Sequence, residues 1–417
     1  MKKFVIISVI LLLLAGGAFA FSLKHYIDVT HPAEKSDDQT ATQVHEDATV
    51  SPEAPTEAAA PAVDPLADGG IFAANYEKAK ADVENMSNEQ LAGQLIVGIC
   101  SDLDSGSADI VHYGLAGYLF ESGAFLYKTE DEIRQGLSDL SSGAKIAPIL
   151  AAQEEGGEKT TVSGTGSFPE NTYDSPRNIL ASGGLQEVEK AELEKAGFLK
   201  GLGFNVNLAP VVDMPDSYDQ IMYSRSLSDD VKTVSDFAKY CAKHVQAKGI
   251  SVALKHFPGY GTITDAAAYE ASAAGAAVTD DRPADTIRSK DYEPFKAGVK
   301  DGAHLVMVSN VLVRNIDAAH TAALSSAVHQ ELRNVVGFSG LIITDAIDDA
   351  DYTNYADGRE VAVAAVLAGN DLILARNYGA AYNAILAAVN DGTISQDLLK
   401  QTCTRVLAYK YTAGIIK

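Results

Sequence analysis

The sequence has no tryptophan, only three cysteines and far fewer basic than acidic residues. Lys and Arg together number 33 against 56 Asp and Glu, so the formal net charge is -23. Because binding to phosphate backbones needs a basic surface, this balance argues against nucleic acid as a partner. Cys100, Cys241 and Cys403 are too few and too scattered for a disulfide framework or a zinc site, and we expect buried core thiols.

Several catalytic signatures are also missing. The chain has no glycine-rich phosphate loop of the usual spacings, no histidine cluster with metal-ligand spacing and no G-x-S-x-G serine motif. We therefore predict neither a cofactor nor a metal. Any flat aromatic surface must come from the 18 tyrosines and 13 phenylalanines, because the chain has no indole ring.

The N-terminus contains an export signal. Lys2 and Lys3 precede an apolar run over residues 4–21, which ends with the small-x-small sequence Ala18-Phe19-Ala20. We predict that residues 1–27 are a signal peptide or a membrane anchor, since an apolar run of this length is at the lower limit for spanning a bilayer. The protein is then exported, and is either secreted or anchored at the bacterial cell surface.

Two further regions follow this segment. Residues 28–70 are acidic and rich in alanine and proline, and such a composition cannot bury enough apolar surface to become ordered, so we predict a disordered linker. In a chain that is 47% hydrophobic overall, residues 71–417 are long enough for one large α/β domain.

Eight short apolar runs rich in Val, Ile and Leu alternate with helical patterns in the folded region. Such runs are typical of parallel strands that are covered on both faces. Eight strands alternating with helices predict a single-domain (β/α)8 TIM-type barrel, with a doubly wound open sheet as the alternative. The predicted strands are residues 94–100, 115–120, 147–152, 204–210, 251–257, 304–310, 340–345 and 370–375.

Polar residues stand at the ends of several of these strands. In a barrel the carboxyl ends of the strands meet at one face, where active sites are found. The sequence therefore predicts one pocket built from these side chains: Gln153, Glu154, Glu155, Asn207, Asp213, Lys255, His256, Asn310 and Asp345.

Six segments, taken in order, carry a resemblance to a known family. They are LAAQEEGG, GFNVNLAPVVDM, Arg225-Ser226-Leu227, KHFPGYG, DYEPFKAGVKDGAHLVMVSN and GLIITDA. Together they resemble the barrel domain of glycoside hydrolase family 3, and within it most closely the single-barrel β-N-acetylhexosaminidases. The resemblance extends from Asn85 to Ile415 and rests on the ordered set, which is far more specific than any one motif.

The resemblance implies a retaining hydrolase of terminal β-linked sugars, most closely β-N-acetylglucosaminides. Asp345 takes the position of the family's nucleophile, although the N-cap of a following helix is the alternative role. Lys255, His256 and Arg225 match residues that hold the substrate. Gln153 stands where the family commonly has an aspartate, and its amide can still bond a sugar hydroxyl.

The largest departure from the family lies in the loop GYGTITDAAAYEASAAGAAVTDD. In the hexosaminidase branch this loop carries a histidine general acid/base, but here it has no histidine, and Tyr260 replaces a further one. Its alanine run favours a flexible or helical cover. Either Asp265 or Glu270 supplies the proton, or the barrel is a catalytically impaired glycan-binding protein of the cell envelope. Both alternatives stay open.

The resemblance also implies the partner. We expect a carbohydrate substrate from cell-wall or host glycans. The lack of tryptophan favours a small pocket that takes the end of a glycan over a long cleft. The oligomeric state cannot be derived from these residues.

Overall fold

The computed structural model describes residues 66–348 and 350–417. Residues 1–27 and most of residues 28–70, the predicted export segment and linker, lie outside this described part. A 3-10 turn at Ala67–Phe72 leads into the first helix. Within the described part, none of the helices combines the length and the apolar character needed to cross a membrane.

One eight-stranded parallel sheet organises the fold. The strands are β1 (Ile96–Cys100), β2 (Gly117–Phe120), β3 (Ile149–Ala152), β4 (Val206–Asn207), β5 (Ser251–Phe257), β6 (Thr279–Asp280), β7 (Leu305–Val308), β8 (Leu312–Val313), β9 (Leu341–Thr344) and β10 (Ile373–Ala375). In the sheet they follow the order β10-β1-β2-β3-β4-β5-β7-β9, while β6 and β8 form a separate parallel pair.

The sheet closes between β9 and β10. The backbone N–H of Thr344 donates to Leu372 O at 3.1 Å, that of Asp371 donates to Ile342 O at 2.9 Å, and Ile343 and Leu372 form a parallel bridge. Closure removes the free edges that a doubly wound open sheet would keep. The predicted (β/α)8 barrel is confirmed, and each of its eight predicted strands contains an observed one. The β6–β8 pair was not predicted.

Helices alternate with the barrel strands. In the helix Glu130–Gly143 (α4), Thr129 and Glu132 form a capping box at the start. Ile133, Leu137 and Leu140 repeat at helical spacing and are buried. The helices are α1 (Ala73–Val83), α2 (Asn88–Gly93), α3 (Leu103–Tyr113), α4 (Glu130–Gly143), α5 (Pro176–Leu202), α6 (Val231–Tyr240), α7 (Asp265–Ala273), α8 (Ala284–Lys290), α9 (Tyr292–Lys300), α10 (Ser326–Asn334), α11 (Val361–Ala368), α12 (Tyr378–Asn390) and α13 (Gln396–Thr412).

The core lies inside the barrel wall and between the wall and the helices. Every residue of β1, β5 and β9 is buried, as expected for strands that are covered on both faces. The prediction for the cysteines is confirmed, since Cys100, Cys241 and Cys403 are all free and buried. Burial raises the pKa of Cys100 to about 11 and that of Cys403 to about 12.

Candidate active site

A pocket of about 450 Å³ opens at the carboxyl ends of the barrel strands. Its floor is apolar and comes from inward-facing strand residues, namely Ile99, Leu119, Met307 and Leu374. Its wall is polar. A small concave site with an apolar floor and a few convergent polar groups is the usual form of a small-ligand site.

The pocket brings together five of the predicted site residues. Gln153, Arg225, Lys255, His256 and Asp345 all line it. They come from four different strand ends or the loops that follow them, so only the closed barrel makes them neighbours. The predicted position of the site at the carboxyl face is therefore where the structure has a pocket.

The buried carboxylate of Glu155 organises the cationic side of the pocket. Lys255 Nζ lies 2.5 Å from Glu155 Oε1, and Arg225 donates to both carboxylate oxygens at 2.7 and 2.9 Å. Gln153 Nε2 adds a hydrogen bond of 2.8 Å to the same group. Three residues that the resemblance assigns to the sugar are thus held by one carboxylate.

Burial and ion pairing oppose each other at this carboxylate. Burial raises the pKa of the Glu155 carboxyl, but the charges of Lys255 and Arg225 outweigh it, so the pKa lies well below the usual value. The side chains of Glu155 and Lys255 are each 1% exposed, so the pair is screened little by solvent. Glu155 therefore stays ionised.

His256 is oriented by a second buried carboxylate, Asp213. Its Nδ1 lies 2.7 Å from Asp213 Oδ2, and the backbone N–H of Tyr260 donates to Asp213 Oδ1 at 2.8 Å. The other ring nitrogen, Nε2, lies 3.4 Å from Arg225 Nη2. Since Nδ1 is engaged with Asp213, Nε2 is the atom of His256 that remains for a ligand. A cis peptide bond joins Lys255 to His256, and both side chains line the pocket.

Asp345 stands directly after β9 and is half-buried. Its backbone N–H donates to Val308 O at 2.9 Å, and its Oδ1 accepts from the N–H of Ala346 at 2.8 Å. Asn310 Nδ2 holds this turn by donating to Ala346 O at 2.7 Å. Residues 346–348, which follow it, are not helical. No cation forms an ion pair with Asp345 in the described residues, so its carboxylate is open to the pocket.

The charge of Asp345 affects its neighbours. Burial raises the pKa of Tyr260 well above the usual value, and the charges of Asp345 and Asp213 raise it further. Tyr260 also stacks edge-on against His256, with ring centroids 5.1 Å apart and an interplanar angle of 89°. Tyr260 thus stays a neutral hydroxyl within the electrostatic influence of Asp345.

The structure does not bring Asp265 and Glu270 to the pocket. The alanine-rich run after β5 forms α7, capped by Thr264, and no residue of this helix is buried. Both carboxylates are exposed, and neither belongs to the described residues that line the pocket. The N–H of Asp265 is bound to Asp219 O at 2.8 Å, which ties the start of α7 to the loop after β4.

Four charged residues of the wall, Lys159 among them, were missed by sequence reasoning. Glu121 follows β2, Arg376 follows β10, and Glu158 lies on the loop after β3. Arg376 donates to both Glu121 oxygens, at 2.7 and 2.9 Å, and this hydrogen bonding lowers the pKa of Glu121. Glu121 and Arg376 each directly follow a buried strand, which is the signal that could have identified them.

No metal centre is evident in the described part of the chain. There, no group of three or more His, Cys, Asp and Glu side chains is arranged to hold a metal ion. The geometry offers ion pairs and hydrogen-bond donors instead.

Comparison with known proteins places this pocket in a family. The family model described as "Glycosyl hydrolase family 3 N terminal domain" matches residues 89–409. An uncharacterized secreted glycosyl hydrolase of Arthroderma benhamiae is 29% identical over 269 residues, which cover 62% of this chain and 73% of that protein. A β-hexosaminidase of Xanthomonas campestris pv. campestris is 25% identical over 232 residues, 54% of this chain and 68% of that protein.

The fold has a close structural counterpart. The structure of a glycoside hydrolase family 3 β-N-acetylglucosaminidase from Paenibacillus sp. superposes with a TM-score of 0.71 and 24% identity, over 79% of this chain. The match covers 63% of the Paenibacillus chain, which is less than two thirds of its length. With the family model matched along most of the described chain, the protein belongs to glycosyl hydrolase family 3 through a domain of the family's N-terminal barrel type.

Proposed function

We propose that this protein is a retaining glycoside hydrolase that removes terminal β-linked sugars, with β-N-acetylglucosaminides from cell-wall or host glycans as its substrates. One observation carries the proposal. The open carboxylate of Asp345 shares a pocket with Lys255, His256 and Arg225, three polar side chains fixed by buried carboxylates.

The proposed chemistry gives the open carboxylate and the fixed polar side chains different roles. Asp345 attacks the anomeric carbon and forms a glycosyl ester, which water then hydrolyses. Lys255 and Arg225 donate to sugar hydroxyls, and His256 Nε2 offers a further contact. Because their partners Glu155 and Asp213 are buried, these side chains are positioned before substrate arrives and lose little freedom on binding.

The size of the pocket and the names of the relatives support the choice of substrate. A pocket of about 450 Å³ suits one or two sugar rings at the end of a glycan. The Xanthomonas relative is named a β-hexosaminidase and the Paenibacillus structure a β-N-acetylglucosaminidase. Export is supported by the N-terminal sequence and by the Arthroderma relative, which is named as secreted.

The test is hydrolysis of aryl glycosides by the purified protein. Aryl β-N-acetylglucosaminide and aryl β-glucoside are incubated with the wild type and with Asp345→Ala. We expect release from the first substrate by the wild type and a loss of at least about 10³-fold in the variant. Release no greater than that of Asp345→Ala, from both substrates, would contradict the proposal.

A second candidate function is glycan binding without turnover. The observation that favours it is the placement of Asp265 and Glu270, the two predicted proton donors, outside the pocket. A binding protein would show an N-acetylglucosamine-dependent rise in Tm, because ligand binding stabilises the native state by mass action. The same protein would release no aryl alcohol above the Asp345→Ala control.

A further inference from the structure

The unassigned part of the proposed reaction is the proton donor. A retaining glycosidase needs a general acid/base, most often a second carboxylic acid, across the scissile bond from the nucleophile, and this group protonates the leaving oxygen and later deprotonates water. Among the described residues that line the pocket, three carry carboxylates: Glu121, Glu158 and Asp345. With Asp345 as the nucleophile, the choice is between Glu121 and Glu158.

Glu121 is occupied by Arg376. Both of its oxygens accept hydrogen bonds from that guanidinium, and the pairing lowers the pKa of Glu121. An ionised carboxylate held by a bidentate arginine only accepts hydrogen bonds, so it has no proton to give.

The buried acids behind the wall are occupied as well. Glu155 is paired with Lys255 and Arg225. Glu154 accepts from the backbone N–H groups of Thr161 and Val162 at 3.1 and 3.0 Å, so it fixes the loop after β3. Neither side chain lines the pocket.

Glu158 differs from all of these. Its side chain lines the pocket, yet across residues 66–348 and 350–417 it forms no hydrogen bond and no ion pair. It is exposed to solvent. An unpaired carboxylate that lines the same pocket as the open carboxylate of Asp345 is the arrangement that acid/base catalysis requires.

The turn that carries Glu158 is fixed to Glu155, the residue that binds Lys255 and Arg225. Gly156 and Lys159 form an antiparallel bridge, and the N–H of Glu155 donates to Lys159 O at 2.9 Å. Below the turn, the buried Lys195 Nζ donates to Glu155 O at 2.8 Å. The backbone on either side of Glu158 is thus anchored to the same residue that holds Lys255 and Arg225.

We propose that Glu158 is the general acid/base of this barrel, an inference that rests on the proposed function. In the first step Asp345 forms a bond to the anomeric carbon while the glycosidic C–O bond breaks, and the leaving oxygen takes the proton of Glu158. In the second step the Glu158 carboxylate accepts a proton from water as the water oxygen attacks the anomeric carbon and releases Asp345. Protons and electron pairs balance over the cycle.

The experiment compares Glu158→Gln with the wild type on two aryl β-N-acetylglucosaminides, one with a 2,4-dinitrophenolate leaving group and one with an unactivated phenolate. Loss of the acid should lower kcat/KM by about 10²- to 10⁴-fold for the unactivated substrate and far less for the dinitrophenyl substrate. Azide, a nucleophile that needs no general base, should restore turnover of the dinitrophenyl substrate and yield a β-glycosyl azide.

Glu170→Gln is the matched control. Glu170 is an exposed carboxylate on the same loop after β3 and is not among the described residues that line the pocket. It should keep wild-type activity on both substrates. Unchanged Tm values for Glu158→Gln and Glu170→Gln would show that both variants are folded.

Three results would overturn the inference. One is wild-type activity in Glu158→Gln on both substrates. Another is an equal loss on both substrates without azide rescue. The third is a selective loss on the unactivated substrate, with azide rescue on the dinitrophenyl substrate, that occurs in Asp265→Asn or Glu270→Gln and not in Glu158→Gln. A wild type that is no more active than Asp345→Ala is a different outcome, because it removes the proposed function together with this inference.

Discussion

Glu155 is the residue on which the candidate site depends most. Its carboxylate, 1% exposed, binds Lys255, Arg225 and Gln153 at once. Sequence similarity identifies Glu155 as part of a turn, but the structure shows it as the counter-ion of two cations that line the pocket.

Replacing this carboxylate should cost stability. Glu155→Gln keeps the shape of the side chain but leaves the buried Lys255 and the half-buried Arg225 without a counter-charge. We expect a loss of about 3–5 kcal/mol in the free energy of unfolding, measured by urea denaturation at pH 7. Asp236→Asn, which removes surface pairs with Lys232 and Lys239, should cost under about 1 kcal/mol.

The difference in the free energy of unfolding between Glu155→Gln and the wild type should depend on pH. The pKa of Glu155 lies below the value of an unfolded glutamate, so its ion pairs stabilise the fold above that value and the stabilisation is lost as the pH falls toward the folded-state pKa. This difference in the free energy of unfolding should be constant from about pH 5 upward and become smaller under more acidic conditions. A difference no larger than that caused by Asp236→Asn would refute the role of Glu155 as the counter-ion of Lys255 and Arg225.

Four of the five pocket residues could be predicted from strand positions because they lie at the end of a strand or directly after it, whereas Arg225, in the loop after β4, is predicted only by the family resemblance. Lys255, His256 and Asp345 stand at or directly after buried strands, and barrel geometry gathers such positions. The proton donor could not be predicted in the same way. Which loop carboxylate reaches the pocket depends on backbone contacts such as the hydrogen bond from the N–H of Glu155 to Lys159 O. Such contacts join segments that are distant in the sequence or have irregular backbone conformation.

At the scale of elements, the loop between β5 and α7 is fixed by an arginine clamp. The Arg282 guanidinium binds Asp280 and Asp291, with its two contacts to Asp291 both 3.0 Å long. It packs over Gly261, where φ is +58°, and Gly259 faces Asp291. Glycine is needed at Gly261 both for its positive φ and for the close approach of the guanidinium.

A pair of glycine substitutions separates these two requirements. A Cβ on Gly261 would lie 2.3 Å from Arg282 Nη2, whereas Gly114 has φ +61° and no heavy atom within 4 Å of its added Cβ. Gly114→Ala should therefore lower the free energy of unfolding by about 1 kcal/mol, from backbone strain alone. Gly261→Ala should cost at least about 1 kcal/mol more, because Arg282 must move. Equal losses in thermal or urea unfolding would show that the clamp does not hold the loop.

In the same loop, local sequence determines the helical conformation of α7, and tertiary contacts determine its direction. The alanine run predicted a helical or flexible cover, and α7 is helical. Its direction is set by the bridge between Gln220 and Thr264 and by the Asp265–Asp219 hydrogen bond, two contacts with the loop after β4. Since no local pattern encodes those contacts, the exposure of Asp265 and Glu270 could not be predicted.

At the scale of the whole molecule, the pocket and a second set of buried polar groups lie at opposite ends of the barrel. At the amino end, α13 packs beside α1 and next to the start of β1. Lys410 Nζ, fully buried, donates to Gln94 Oε1 at 2.8 Å, and Arg405 pairs with the buried Asp371 just before β10. These contacts stabilise the closure of the barrel, in keeping with the usual division between the two faces.

Lys410 should make the stability of the whole fold depend on pH. Burial lowers its pKa to about 7, against about 10.4 for an unfolded lysine. Between these values the unfolded chain binds more protons than the folded one, so the free energy of unfolding rises with pH. Lys410→Met removes this contribution and should be the more stable protein at pH 7, despite the lost hydrogen bond to Gln94.

Urea unfolding of wild type and Lys410→Met at pH 7 and pH 10 measures the effect. The stability difference between the two proteins should shift by about 3 kcal/mol in favour of the wild type between these pH values. A difference that does not change with pH would mean that Lys410 is charged in the folded protein.

The barrel architecture could be predicted from eight buried runs because a strand covered on both faces leaves a continuous apolar signal. The β6–β8 pair escaped prediction because its strands, Thr279–Asp280 and Leu312–Val313, are too short for any periodicity. The closure of the sheet follows from strand number and parallel order, which are properties of the whole chain.

The most direct test of the account is to trap the glycosyl-enzyme. The wild type is incubated with a fluorinated β-N-acetylglucosaminyl fluoride, which slows breakdown of the covalent intermediate, and is then digested and mapped by mass spectrometry. We predict one sugar adduct, on Asp345, and none in Asp345→Ala. An adduct on another residue, or turnover of aryl β-N-acetylglucosaminide without any adduct, would contradict the assignment of Asp345 as the nucleophile.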